Sequence, residues 1–325
     1  PFFAFAAFTS PHWPLQVPDD ERDRYAGQYD AGYEELRKQN FAALQATGLV
    51  AAHATLPPAN PDVVPWEELD AEQQVQEARK MELYAAMVEN LDHNIGRLLA
   101  YLEQTGLREN TLVVFMGDNG ADGLDFYNRG PYLEYVREHY SNQFEDWGGP
   151  DSFVAYDIPW AEAGSAPFKR YKGHTSEGGI VAPLIVNGPG VAARDVINHS
   201  YLTVMDIAPT FIELAGAHYP EDGSVQAMRG ASWWPMLQGQ AEATHGEDYI
   251  TVLWQRGQAL VRQGRWKITA MEPGFSEDQF ALYDMEADPG ETTDLSQQEP
   301  EKRKELVALW RQQRVELGIV LPEDL

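Results

Sequence analysis

Thr111-Leu112-Val113-Val114-Phe115-Met116-Gly117-Asp118-Asn119-Gly120 is the stretch on which the reading of this chain turns. An uninterrupted apolar and β-branched run breaks abruptly into glycine, acid and amide. A run of that kind reads as a strand buried on both faces, because a half-exposed strand would alternate. Upstream of it, Val75, Ala78, Met81, Tyr84, Val88, Leu91, Ile95, Leu98 and Leu102 recur at spacings of three and four. That period predicts a helix over about 71–105, with Asp70 to cap its start and Gly106 to end it. A helix feeding a buried strand is the crossover unit of a mainly parallel α/β sheet flanked by helices.

The pattern extends outward in both directions. Phe2 to Phe8 reads as another buried strand, stopped by Thr9-Ser10-Pro11-His12-Trp13-Pro14. Residues 29–47 read as a helix with Asp30 as cap and Gly48 as stop, and four prolines between 57 and 65 mark an extended connection. Residues 124–166, rich in Tyr, Trp, Gly and Pro, lose all periodicity and read as an insertion over a functional rim. Strand character returns at Pro183–Val186, and Asp206–Ala215 reads as a helix with Pro209 in its first turn. After about Gly239 short strands follow at close spacing (249–254, 259–262, 266–270, 280–283), then an amphipathic helix over about 299–317. The expected organisation is therefore a core over 1–238 and a smaller C-terminal α+β domain of antiparallel strands and one helix over 239–325.

Composition narrows the function. Of 325 residues, 51 are acidic and 24 basic, a net charge of −27 that repels phosphate backbones and argues against nucleic acid as partner. Cysteine is absent, so this stretch holds no disulfide, thiolate ligand or thiol nucleophile. There is no apolar run of membrane-spanning length. The chain opens at Pro1 on an apolar run that calls for neighbours on both sides, so the expectation is a piece of a longer protein, with a missing N-terminal segment of the same fold as its partner.

Three short segments carry side chains suited to chemistry. Asp118 and Asn119 follow a buried strand, where ligands of open α/β sheets bind, and offer hard oxygen donors fit for Ca²⁺ or Mg²⁺; the same tripeptide with Gly120 also serves ordinary turns. His12 stands between two prolines and could donate a hydrogen bond or proton to an anion, or be a structural histidine. Lys172, in Tyr171-Lys172-Gly173-His174-Thr175-Ser176-Glu177-Gly178-Gly179-Ile180, could be held as a point charge toward an oxyanion, or simply be solvated. His174 and Glu177 are further polar candidates.

The order His12, Asp118-Asn119, Lys172 followed by Glu-Gly-Gly resembles that of the formylglycine-dependent sulfatases. Four segments, Ala7–Gln16, Phe115–Ala121, Thr203–Thr210 and Leu282–Asp284 with Asp288-Pro289-Gly290-Glu291, resemble the bacterial arylsulfatase branch in particular. The resemblance covers essentially the whole chain. It implies an alkaline-phosphatase-like core with a smaller C-terminal domain, and hydrolysis of a small-molecule sulfate ester by a formylglycine hydrate that attacks sulfur. It implies Ca²⁺ as cofactor, with Mg²⁺ as the other candidate, held by two early aspartates and by the pair matched here by Asp118 and Asn119. His12 and Lys172 match the residues that contact the sulfate, and His174 is a further candidate for substrate binding.

The departures bear on activity. Nothing here matches the family's Cys/Ser-x-Pro-Ser-Arg maturation motif or its early aspartates, and Ser165-Ala166-Pro167-Phe168-Lys169 imitates the motif with the wrong residues in the wrong place. The isolated chain is thus expected to be silent. Two other readings stand beside this one: a phosphonate monoester or phosphodiester hydrolase of the same superfamily, and a non-catalytic relative descended from a sulfatase. A soluble bacterial protein is expected, with cytoplasm and periplasm equally open.

Overall fold

The structure, a computed structural model, describes residues 1–193 and 195–321. The chain forms two compact units: residues 1–106, 117–182 and 287–294 make one, and residues 107–116, 183–286 and 295–325 the other.

The first unit is built on helices α1 (Tyr33–Thr47), α2 (Ala71–Gln104), α3 (Leu133–His139), α4 (Asp157–Ser165) and the short α5 (Glu177–Ile180). Helix α2 starts where expected. Asp70 Oδ1 accepts from the Gln73 amide at 2.9 Å while Gln73 Oε1 accepts from the Asp70 amide at 2.9 Å, a reciprocal cap that satisfies two backbone donors. Helix α1 begins at Tyr33 rather than beside Asp30, with Gly32 at its cap, and ends as expected on Gly48 in the left-handed conformation.

Burial departs from the sequence pattern in three places of this unit. Along α2, Ala78, Met81, Leu83, Ala86 and Met87 are buried, but Val75, Val88 and Leu98 are exposed. Periodicity marks a face, and packing within this unit covers only its middle. Residues 2–8 are not a strand; Phe2, Phe3, Phe5 and Phe8 stand between 46% and 83% exposed. An apolar run becomes a strand only when a neighbouring strand takes up its backbone groups. Finally, much of the segment read as a rim insertion is core: Val154, Trp160, Ala161 and Ala163 are buried with Leu15, Leu83 and Tyr33. Helix α4 is apolar nearly all round, which is the composition of a buried helix and explains its missing period. Trp160 packs edge-on against Tyr29, Tyr33 and Trp66 and donates its indole N–H to the Glu77 carbonyl at 3.0 Å.

In the second unit, strands β1 (Val113–Met116) and β2 (Leu184–Asn187) pair antiparallel, Phe115 opposite Ile185. Both segments are strands as expected, but β1 is half-buried with Met116 exposed rather than buried on both faces, and their pairing is antiparallel where the pattern predicted mainly parallel neighbours; a short apolar run encodes neither what covers it nor the direction of its partner. Helices α6 (Ile207–Leu214) and α7 (Trp234–Leu237) follow. Strands β3 (Ile250–Gln255), β4 (Gln258–Gln263), β5 (Trp266–Ala270) and β6 (Ala281–Asp284) form an antiparallel meander in chain order. The β3–β4 hairpin turns on Arg256 and Gly257, both at positive φ, the geometry a two-residue hairpin needs. Helix α8 (Pro300–Glu316) lays Leu306, Val307 and Trp310 on Val261, Ile268, Phe280 and Leu282. Asp206, fully buried, accepts from the Thr203 amide at 2.6 Å, the Ala231 amide at 2.9 Å and His245 Nε2 at 2.9 Å, tying the start of α6 to two later loops.

Replacing Trp160 by alanine empties the centre of the first core. We expect a loss of about 3–5 kcal/mol, read as a lower urea midpoint by far-UV circular dichroism; an unchanged midpoint would contradict this account of the core.

Candidate active site

The candidate site lies within the first unit, on three loops. The first is residues 9–15. Leu15 is fully buried and its amide bonds to the Val154 carbonyl at 2.8 Å, and Ser10 Oγ donates to the Met87 carbonyl at 3.3 Å. Those anchors on both sides hold His12 in place. Its Nδ1 is 2.8 Å from the Trp13 carbonyl oxygen. Trp13 in turn meets Phe126 edge-on at 4.8 Å, and Phe126 meets the exposed Tyr132 at 5.7 Å, so an aromatic flank runs beside the imidazole.

The second loop, 117–123, and the third, 169–180, are pressed together. The Gly120 amide reaches the Gly179 carbonyl at 3.3 Å, and the Lys172 amide reaches the Ala121 carbonyl at 2.9 Å. A side chain at Gly120 would lie 1.9 Å from the Gly178 carbonyl oxygen, and one at Gly178 would lie 2.2 Å from that of Arg170. The glycines after Asn119 and Glu177 are thus required by close backbone approach. The third loop is held from its far end: Glu291 accepts from the Glu177 amide at 2.8 Å, at the start of α5.

These loops converge on a residue that reading the sequence missed. Asp122, only 8% exposed, presents Oδ2 to Lys172 Nζ at 3.0 Å and to His12 Nε2 at 3.3 Å, while Oδ1 accepts from the Leu124 amide at 3.0 Å. Its own amide donates to the hydroxyl oxygen of Tyr156 at 3.0 Å. His12 and Lys172 are therefore brought together, on one carboxylate oxygen. The available signal was an acid four residues beyond Asp118 in the same loop; nothing local said which way it would face.

Asp118 and Asn119 share that loop with Asp122. Asp118 is exposed, and Asn119 donates its amide to Asp118 Oδ1 at 2.9 Å. Two hard oxygens suit Ca²⁺, but they are two of the roughly six to eight it takes, and among the described residues no cluster of three or more His, Cys, Asp or Glu completes the shell. No hydrogen bond joins them to His12 or Lys172. His174 is also apart: its Nδ1 lies 3.0 Å from the Tyr171 carbonyl, its ring packs on Tyr171 at 4.7 Å, and burial pushes its pKa down.

The electrostatics follow from the shared carboxylate. Burial by itself would raise the Asp122 pKa; hydrogen bonds from His12, Lys172 and the Leu124 amide outweigh it and bring it to about 2. The hydrogen bond to Asp122 in turn raises His12 above its ordinary 6.5, against partial desolvation and the nearby ammonium. The Asp122 contribution to stability is complete above 3.8 and is lost as pH falls through about 2. That of His12 is complete below 6.5 and is lost as pH rises through its raised value. Replacing Asp122 by asparagine is expected to lower the His12 pKa, measured by NMR titration of the ring; an unmoved titration would refute the coupling.

Comparison with known proteins bears on the family and the fold. The sulfatase family model matches residues 1–217, and the model of the N-sulphoglucosamine sulphohydrolase C-terminal region matches residues 169–317. An uncharacterised sulfatase of Schizosaccharomyces pombe is 35% identical over 99% of this chain and 59% of its own length. An arylsulfatase of Klebsiella aerogenes is 41% identical over 66% of this chain and 46% of its own length. The chain thus spans about half the length of these curated relatives. The crystal structure of Ps i-CgsB superposes with a TM-score of 0.57 at 19% identity, covering 94% of this chain and 48% of that one, a likeness of fold. The fold is accordingly alkaline-phosphatase-like α/β with a C-terminal antiparallel sheet. With the model matching residues 1–217, two thirds of its length, the chain belongs to the sulfatase family.

Proposed function

We propose that the whole protein to which these residues belong hydrolyses sulfate monoesters, with His12 and Lys172 as donors to the sulfate. The observation that carries this reading is their convergence on one anionic oxygen, at 3.3 Å and 3.0 Å, from loops far apart in the chain. Two cationic donors already aimed at one oxygen are what sulfuryl transfer requires, because negative charge grows on the sulfate and leaving-group oxygens as the ester bond breaks. Fixed before reaction, they stabilise that charge without reorganising.

The roles divide by chemistry. Lys172 offers an ammonium with N–H groups to spare beyond the one given to Asp122, suited to a sulfate oxygen. His12 keeps its proton above the ordinary imidazole range, suited to delivering it to the leaving oxygen. The flank of Trp13, Phe126 and Tyr132 favours an aromatic leaving group. Asp118 and Asn119 would supply part of the shell of a Ca²⁺ ion, whose chemistry is to polarise a sulfate oxygen. A formylglycine nucleophile, if used, comes from outside these 325 residues, since they contain no cysteine and nothing that matches the Cys/Ser-x-Pro-Ser-Arg motif.

In the whole protein, 4-nitrophenyl sulfate should be turned over faster than phenyl phosphonate esters; the reverse preference would favour a phosphonate or phosphodiester hydrolase. Lys172→Ala and His12→Ala should each lower kcat by roughly 10²–10³ with smaller changes in KM, the size typical of losing one transition-state donor. Unchanged kcat in both would remove them from the site. Calorimetric titration should show weaker Ca²⁺ binding in Asp118→Ala and Asn119→Ala; wild-type affinity in both would dissociate the 117–123 loop from the metal.

A further inference from the structure

Asp122 is placed as more than a satisfied buried acid. Its carboxylate is the floor of the site, with side-chain exposure of 9%, while the two cationic donors stand above it, His12 at 43% and Lys172 at 31%. The donors therefore lie between a fixed internal anion and solvent, the position an external anion must approach.

The two donors are held differently. Lys172 gives one N–H to Asp122 and has two more, so it can grip Asp122 and a second anion together. The imidazole has only two N–H groups. Nδ1 faces the Trp13 carbonyl at 2.8 Å and Nε2 faces Asp122 at 3.3 Å, so a ring protonated on both nitrogens has each N–H engaged. His12 can serve an incoming anion only by exchanging Asp122 for it; the longer of the two contacts, at 3.3 Å, is the one that must yield.

We propose that Asp122 is the positioning residue of this site: its Oδ2 stands in for the substrate's oxygen in the resting state, keeps Lys172 on target throughout, and releases His12 Nε2 to the leaving-group oxygen when the ester binds. The inference rests on the sulfatase reading of His12 and Lys172. It accounts for an acid at an anion site, which otherwise only repels the ligand. The repulsion weakens ground-state binding of the dianionic product, while the geometry it enforces acts on the step that needs aligned donors.

The test uses the whole protein, with 4-nitrophenyl sulfate as substrate and inorganic sulfate as inhibitor. Asp122→Asn keeps the shape and removes the charge. It should lower kcat by about 10²-fold, the usual worth of a misplaced proton donor, and at the same time tighten inhibition by sulfate. Asp122→Glu, which restores the charge one methylene away, should recover part of kcat and return sulfate inhibition to the wild-type value. An acid with a merely structural role would lower the thermal midpoint and weaken both properties together. Wild-type kcat in Asp122→Asn, or sulfate inhibition weakened along with kcat, overturns the proposal; so does failure of Asp122→Glu to recover activity while its circular dichroism spectrum is native. His12→Ala and Lys172→Ala are run in parallel. Full turnover in both would refute the sulfatase site itself, whereas lost turnover in both with a silent Asp122→Asn would refute only the role given to Asp122.

Discussion

A carboxylate taken out of water must be matched by donors, and that requirement at Asp122 organises the candidate site. With Oδ1 on a backbone amide and Oδ2 on an ammonium and an imidazole, the acid stays ionised despite burial. The same requirement works in reverse on the donors. Lys172 and His12 are long or rotatable side chains that would otherwise sample many rotamers, and a shared anion confines both to one direction. Preorganisation of cationic donors is costly when the ligand is away, because like charges repel; an internal counter-ion between them offsets that cost.

Holding Asp122 in place is a backbone problem. Its loop must lie against the Lys172 loop closely enough for amides of one to meet carbonyls of the other, and a side chain at Gly120 would block that approach, while side chains at Gly178 or Gly179 would break the folding of the Lys172 loop on itself. Glu291 adds a clasp from a distant part of the chain by accepting the Glu177 amide. Tyr156, in the core beside α4, receives the Asp122 amide on its hydroxyl, so the packing of Trp160 and its neighbours reaches Asp122 through that hydrogen bond. The segment that looked like a surface insertion thereby becomes the support on which the acid rests.

Several elements were legible because their cause is local. The capping box at Asp70, the left-handed stop at Gly48, the apolar strand before Gly117 and the meander with its closing helix each follow from a few adjacent residues. Where the cause lies elsewhere the reading failed. Residues 2–8 have strand composition without strand structure, α4 carries too few polar residues to show a period, and β1 with β2 takes a direction that neither run encodes. At the site, His12, Lys172, Asp118 and Asn119 stood out by residue type and setting. Asp122 did not, since an acid in a glycine-rich turn is unremarkable until its partners are known.

What the amino-acid order determined on its own is the kind of protein this is: helix and strand types, the meander with its closing helix, and the residue types offered as candidate donors, all of which arise from period, turn chemistry and side-chain type. What only the tertiary structure decided is which groups meet. The meeting of His12, Asp122 and Lys172 on one oxygen, and of Glu291 with the Glu177 amide, depends on directions set by packing between segments remote in the chain. A hydrogen bond between such segments leaves no mark in the local pattern of either, because each residue's type fixes what it can bond and only the fold fixes to whom.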